Sequence, residues 1–332
     1  MSTNSNEANP QSGSDSLSSN RTHPSPPSPV IGVLMNAEAL DEITSPSLSP
    51  RCMRCMLDKY LDACPADVPW QTRADYQRRA LATVAEGSLT MTAPEIGHEL
   101  TGVLRDMFGI ERSYTQVKRH FNELVLGLEG KLAHRITQSD DPLDLAARLA
   151  MAGNFIDFGP TGEVSEEKLL QLVDDAAHME LDVAALADLK ARIMQARTIT
   201  YLTDNCGEVV LDKLFIAQIR QANPQTDVTA VVRGAETSND ATMEDARQVG
   251  LDEVARVIDN GSNIAGTCPA RVNEQTRAAL RDADLVISKG LANYETLSGR
   301  GQNTYFLFLC KCALYVEVFG VPLYTGMVVR GV

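Results

Sequence analysis

Between residues 80 and 85 the apolar side chains Ala80, Leu81, Val84 and Ala85 recur with a period near 3.6, which predicts an amphipathic helix. Thr92-Ala93-Pro94-Glu95 then reads as a helix start, with Thr92 as N-cap, a proline just inside and a glutamate three positions on. Leu100, Val103, Leu104 and Met107 carry the core face of that helix. Asp141-Pro142 opens another, which runs through Ala146, Leu149 and Ala150 and halts at Gly153. Two more helical stretches are predicted, one from Leu169, Leu170, Leu172 and Val173, the other from Leu186, Leu189 and Ile193.

After Arg197 the rhythm changes. Short apolar, β-branched runs at 199–202, 228–232, 254–258 and 283–287 alternate with helical stretches at about 208–222, 243–249 and 271–280. Strands that are apolar throughout and alternate with helices predict a parallel sheet covered on both faces. The expected fold is α/β: a helical N-terminal part packed on a doubly wound, mainly parallel α/β/α sandwich. The expected organisation is a disordered tail over 1–48, a helical domain over 49–197 and an α/β domain over 198–332. The tail is rich in Ser, Pro and Asn and holds too little apolar surface to offset its ordering entropy.

A length of 332 residues fits about two domains, and a hydrophobic fraction of 44% excludes a wholly disordered chain. The net charge of -14 repels phosphate backbones, so nucleic acid and anionic membranes are not expected partners. No apolar run reaches the length of a membrane span, and Met1 to about Pro50 lacks the pattern of a secretory signal. Seven scattered cysteines do not suit a disulfide scaffold, which points to a reducing cytoplasm. The sequence leaves the oligomeric state open.

In doubly wound sheets ligands sit beyond the carboxyl ends of the strands, and polar residues gather there. The first strand runs into Asp204-Asn205-Cys206-Gly207-Glu208, where carboxylate and amide oxygens suit Mg²⁺ or Mn²⁺ and a helix start favours an anion. Helix capping is the simpler reading of the same residues. Asp240, in Ser238-Asn239-Asp240-Ala241-Thr242 beyond the second strand, is a candidate third oxygen ligand. The fourth strand ends in Ser288-Lys289-Gly290, and a lysine at a strand tip suits a phosphate. Lys311 lies inside the apolar run 306–314 and needs a partner there. Neither G-x-G-x-x-G after the first strand nor a P-loop occurs, and all five histidines precede the α/β part, which argues against NAD, nucleotide and Ser-His-Asp chemistry. Cys52-Met53-Arg54-Cys55 is a C-x-x-C that offers two corners of a metal site or a redox pair, and a closed zinc site needs two more ligands.

In order and spacing, Asp204-Asn205-x-Gly207-Glu208, Asn239-Asp240-Ala241-Thr242, Ser288-Lys289-Gly290 with Asn293-Tyr294-Glu295, and Lys311-Cys312 resemble the damage-control metal phosphatases. Cys52-x-x-Cys55, Lys118 to Asn122, and Asp141 through Asp157 resemble that family's helical half, and the C-x-x-C resembles one subgroup. The resemblance covers about residues 50–332 and implies a phosphatase that uses a divalent metal (Mn, Ni, Co or Mg) on a small phosphorylated metabolite. It implies Asp204, Asn205 and Asp240 as metal ligands, with Asp204, Asp240, Lys289 and Lys311 as the catalytic set. Asn154, Glu208, Lys289, Asn293, Glu295 and Lys311 would contact substrate. The chain departs from the family at Leu291-Ala292, where a Gln-Gly pair is usual, and at Arg112-Ser113-Tyr114 in place of Asp-Pro-Tyr. Two other readings are an S-adenosylmethionine-dependent protein carboxyl methyltransferase and a non-catalytic metal-binding scaffold.

Overall fold

The change from helical rhythm to strand–helix alternation falls between Gln195, the end of one helix, and Thr198, the start of the first strand. In the computed structural model the described residues are 48–87, 91–111, 113–154, 171, 174–176, 178–179, 181–300 and 303–331. Before the sheet come α1 (Pro50–Asp62), α2 (Trp70–Glu86), α3 (Ala93–Phe108), α4 (Thr115–Thr137), α5 (Pro142–Gly153) and α6 (Val183–Gln195). The expected helix starts are present. Thr92 and Glu95 form a reciprocal capping box on α3, and the Asp141 carboxylate accepts from the Asp144 N–H at 3.0 Å on α5. The stripe on α2 is narrower than its apolar residues suggest: Ala80 and Val84 are buried, but Leu81 is exposed. Apart from residue 171, the stretch predicted at 169–173 lies outside the described residues, as does nearly all of the 1–48 tail. Leu48, assigned to that tail, is instead buried against α1, α2 and α3.

The α/β part follows as β1 (Thr198–Leu202), α7 (Glu208–Ala222), β2 (Asp227–Val232), α8 (Met243–Val249), β3 (Arg256–Asp259), α9 (Glu274–Asp282), β4 (Leu285–Lys289), α10 (Leu291–Leu297), β5 (Thr304–Leu309), α11 (Ala313–Phe319) and β6 (Gly326–Arg330). The sheet order is β3-β2-β1-β4-β5-β6, parallel except for β6, which pairs antiparallel with β5. The apolar run at 306–314 is split between β5 and α11 by Cys310-Lys311-Cys312. Side chains alternate between the two faces of each strand. Ile199, Tyr201, Leu285, Ile287, Tyr305 and Leu307 face a core shared with α4–α8. Leu202, Val286, Phe306 and Phe308 face a second core with α10 and α11. The first of these cores runs unbroken from Phe121 to Val328, so residue 197 marks a change of secondary structure within one packed body.

Asn122 is the polar joint between α4 and the sheet. Its side-chain oxygen accepts from the Gly207 N–H at 2.7 Å, and its amide donates to Asp245 at 2.9 Å and Gln248 at 2.8 Å. Beside it the buried Lys118 and Asp245 are paired at 2.7 Å. Asn122→Ala leaves a buried N–H and a carboxylate short of partners and should lower stability by about 2–3 kcal/mol. Urea denaturation measures this, and a loss below about 0.5 kcal/mol would show that the joint contributes little.

Candidate active site

β1 and β4 are neighbours, yet the helices that follow them, α7 and α10, cover opposite faces of the sheet. By the rule for doubly wound sheets, the crevice where ligands bind lies beyond Leu202 and Lys289, at this switch point. Two loops meet there. Asn205 and Asp240 form an isolated antiparallel bridge, the Ala241 N–H donates to the Asp204 carbonyl at 2.7 Å, and the Cys206 N–H donates to the Asn239 carbonyl at 2.8 Å. This short ladder carries Asp204, Asn205 and Asp240 to one place from positions far apart in sequence.

Two glycines permit the approach. Gly207 has φ +71° at the turn into α7, a region that favours glycine. Gly290 has φ +83°, and a Cβ built on it would lie 2.0 Å from Asp204 Oδ2. No side chain fits there without displacing the aspartate.

The amides of Asn154 and Asn205 both donate to Asp204 Oδ2, at 2.8 and 2.7 Å, and to Glu208 Oε2, at 3.1 and 2.9 Å. Arg233 Nε donates to Asp240 Oδ2 at 2.6 Å, and its Nη2 lies 3.8 Å from Asp204 Oδ1. Among the described residues, Asp204 Oδ1, Asp240 Oδ1 and Asn205 Oδ1 receive no hydrogen bond. Burial, Glu208 and Asp240 push Asp204 well above the ordinary carboxylate range, and Arg233 and Lys311 only partly offset them. Burial also raises Asp240, against the pull of Arg233.

The expected substrate residues separate into two groups. Lys311 is partly exposed and donates to the Asn154 carbonyl at the edge of the crevice. Asn154, Glu208 and Asp204 adjoin it through the contacts above. Lys289 is a correction. Its strand places it on the face of Leu285 and Ile287, beneath α5 and α7, where it is fully enclosed. All three ammonium protons are taken, by the Ala150 carbonyl, Glu208 Oε1 and Asp212 Oδ1, each at 2.7 Å. Burial opposes its charge, but the two carboxylates outweigh burial and hold its pKa above the ordinary lysine value. It braces Glu208 and has no proton left for a phosphate.

Asn293 is likewise engaged. It donates to the Thr203 and Lys289 carbonyls at 3.2 and 2.7 Å and accepts from the Thr267 hydroxyl at 2.7 Å, tying the ends of β1 and β4 together. Glu295 does not join the network. It has no hydrogen bond or ion pair among the described residues, and it lies beside Cys52 and Tyr315. Burial pushes its carboxyl up to about 7. Cys52 is itself raised to about 11 by burial and Glu295, a setting that suppresses thiolate chemistry. All seven cysteines are free thiols.

Sequence reasoning missed Arg233, Asp212 and Tyr201. The Tyr201 hydroxyl donates to Asp212 Oδ1 at 2.6 Å, and burial raises Asp212 to about 6 against the pull of Lys289. Two acids four residues apart on the otherwise apolar face of α7, Glu208 and Asp212, were the available signal. A separate cavity of about 230 Å³ lies between α4, α8 and residues 234–236, where Lys118 and Arg119 are paired with Asp245 and Glu244.

The damage-control phosphatase ARMT1-like domain matches residues 48–326. The chain belongs to the ARMT1-like damage-control phosphatase family. It is 31% identical over 281 residues to a damage-control phosphatase of Archaeoglobus fulgidus, covering 82% of this chain and 96% of that protein. It is 32% identical over 182 residues to a damage-control phosphatase of Pyrococcus horikoshii, 54% of this chain and 62% of the relative. The crystal structure of a DUF89 family protein from Pyrococcus horikoshii superposes with a TM-score of 0.72 at 25% identity, covering 86% of this chain and 99% of the other. The protein is a phosphatase, and its crevice is built as described above.

Gly290→Ala should cut phosphatase turnover by about 100-fold through displacement of Asp204, with an unchanged far-UV circular dichroism spectrum. Near-normal turnover would show that the aspartate need not stay where it is. A second expectation concerns pH. The fold favours the neutral Glu295 acid, so its ionisation costs nothing below the ordinary value of 4.5 and the full amount above about 7. Glu295→Gln should therefore gain about 1–3 kcal/mol of stability at pH 8 and nothing at pH 4. Denaturation midpoints at the two pH values measure this, and an equal effect at both would refute the assignment.

Proposed function

We propose that this phosphatase hydrolyses phosphomonoesters of small metabolites, sugar phosphates or damaged phosphometabolites, and does so with a divalent cation held by Asp204, Asn205 and Asp240. The supporting observation is the set of three oxygens without hydrogen bonds, delivered by two loops to the switch point of the sheet. The electrostatics agree. Asp204, Glu208, Asp212 and Asp240 outnumber the cations Arg233, Lys289 and Lys311 that meet them, and the upward shifts of Asp204 and Asp240 are those of acids short of positive charge, which a bound cation would supply. Among the described residues no three carboxylate, thiol or imidazole side chains surround an ion-sized space. The donor set is accordingly two carboxylates and one amide, all hard oxygen ligands of the kind that suit Mg²⁺, Mn²⁺ and similar ions. Bound there, such an ion supplies charge neutralisation for phosphate and an acidified water.

The remaining tasks fall to the chain. Lys311, of the three cations the one that reaches solvent, meets the phosphate oxygens and offsets charge that develops on them. The Asn154 amide fixes Asp204 and Glu208 in one orientation, and its carbonyl holds Lys311 at the crevice. Gly290 keeps the approach to Asp204 clear. The net charge of -14 disfavours polyanionic polymers and leaves small phosphorylated molecules as the substrate class.

The test is phosphate release from a panel of sugar phosphates and phosphorylated cofactor fragments, after chelation and re-addition of Mn²⁺, Co²⁺, Ni²⁺ or Mg²⁺. Asp204→Asn and Asp240→Asn should each lower kcat/KM by about 100-fold or more. Lys311→Met should raise KM by about 10-fold or more and leave metal affinity unchanged. Full activity of either aspartate variant, or full activity in chelator, would overturn the proposal.

A further inference from the structure

Among the described residues Arg233 is the largest fully enclosed side chain, and sequence reasoning assigned it no role. It follows β2 directly, and its backbone N–H donates to the Ala241 carbonyl at 2.9 Å, so its side chain starts from the loop that carries Asp240. The guanidinium then makes three different contacts. Nε takes Asp240 Oδ2 at 2.6 Å, and Nη1 reaches the Thr267 hydroxyl at 3.3 Å. Nη2 is buried without a hydrogen-bond partner and faces Asp204 Oδ1 at 3.8 Å. A rigid planar fork spans these three directions at once, which a lysine ammonium on a flexible stem does not.

The consequence lies in which oxygens remain. Arg233 covers one oxygen of Asp240 and leaves Oδ1. The amides of Asn154 and Asn205 cover one oxygen of Asp204 and leave Oδ1. Chelation with both oxygens would make Asp240 share Oδ2 between the ion and the guanidinium, and Asp204 share Oδ2 between the ion and two amides. Ca²⁺ takes six to eight oxygens at about 2.3–2.6 Å and makes frequent use of bidentate carboxylates. Mg²⁺ and ions like it are content with single oxygens at about 2.0–2.1 Å and keep several waters. We infer that Arg233 is a metal-specificity residue: by occupying one oxygen of Asp240 it makes that aspartate a single-oxygen ligand and sets the centre against calcium. The inference rests on the divalent-metal reading proposed above and deepens it.

Its test reads binding and needs no turnover. Mn²⁺ is added to the full chain at low micromolar concentration, and free Mn²⁺ is followed by its electron paramagnetic resonance signal while Ca²⁺ is titrated in. In the wild type a 100-fold excess of Ca²⁺ should displace less than half of the bound Mn²⁺. In Arg233→Gln, which frees Asp240 Oδ2, the ratio of Mn²⁺ to Ca²⁺ affinity should fall by about 10-fold or more. A merely structural arginine would weaken both ions alike and leave the ratio unchanged, and that result overturns the inference, as does displacement from the wild type by equimolar Ca²⁺. Absence of Mn²⁺ binding to the wild type is a different outcome and refutes the metal reading itself. If Arg233→Gln does not fold, X-ray absorption of the Mn²⁺-loaded wild type decides: only single-oxygen carboxylate ligation is expected, and a bidentate signature overturns the inference.

Discussion

The structure depends on keeping several carboxylates together out of water at one end of a sheet. Charges of one sign in a poorly solvated place repel each other and lose hydration, so the fold holds them only where positive charge is placed among them. Two enclosed cations do this from opposite sides. Lys289 lies under Glu208 and Asp212, and Arg233 lies against Asp240 and faces Asp204. Both follow from sheet geometry. Lys289 is the last residue of β4 and Arg233 the first beyond β2, so the strand ends aim them into the crevice floor without any flexible loop.

The amides complete the arrangement. Asn154 and Asn205 donate to the same two acceptors, Asp204 and Glu208, and so turn a repelling pair of acids into a bracketed one. Glu208 in turn is anchored by Lys289, so the position of the Asn205 side chain is traceable to a lysine that never reaches the crevice surface. A lysine in that place acts on the crevice through geometry alone. Lys311 is held by a backbone carbonyl and partly open to solvent, and it is the cation to which the proposal gives the incoming anion.

Much of this was legible in the sequence. The helix start at Glu208, the strand–helix alternation and the contiguous Asp204-Asn205 pair are local features, and local features survive folding. What the sequence concealed was facing. Lys289 reads as a strand-tip cation, and only the packing shows that the face it shares with Leu285 and Ile287 also carries the acids of α7. Glu295 lies outside the hydrogen-bonded network for a reason the sequence does carry. Asn293 and Glu295 are two residues apart on α10, and residues at that spacing do not share a helix face, so both were never going to point at one site. The run at 306–314 concealed its strand–helix junction because Cys310-Lys311-Cys312 contains neither glycine nor proline to punctuate it.

Glycine 290 shows why the arrangement is tightly determined. The turn after β4 has to pass within van der Waals distance of the Asp204 carboxylate, which excludes any side chain, and it also has to adopt a positive φ to start α10. The Asn293 side chain, one turn further on, bonds back to the Thr203 and Lys289 carbonyls and thereby fixes the spacing of β1 and β4 at their open ends. Its remaining oxygen takes the Thr267 hydroxyl, and the same hydroxyl accepts from Arg233. The strap that closes the β1–β4 gap and the guanidinium that orients Asp240 are therefore parts of one hydrogen-bonded chain. A shift at the turn is transmitted to the carboxylates through bonds of about 3 Å, with no soft segment between them to absorb it.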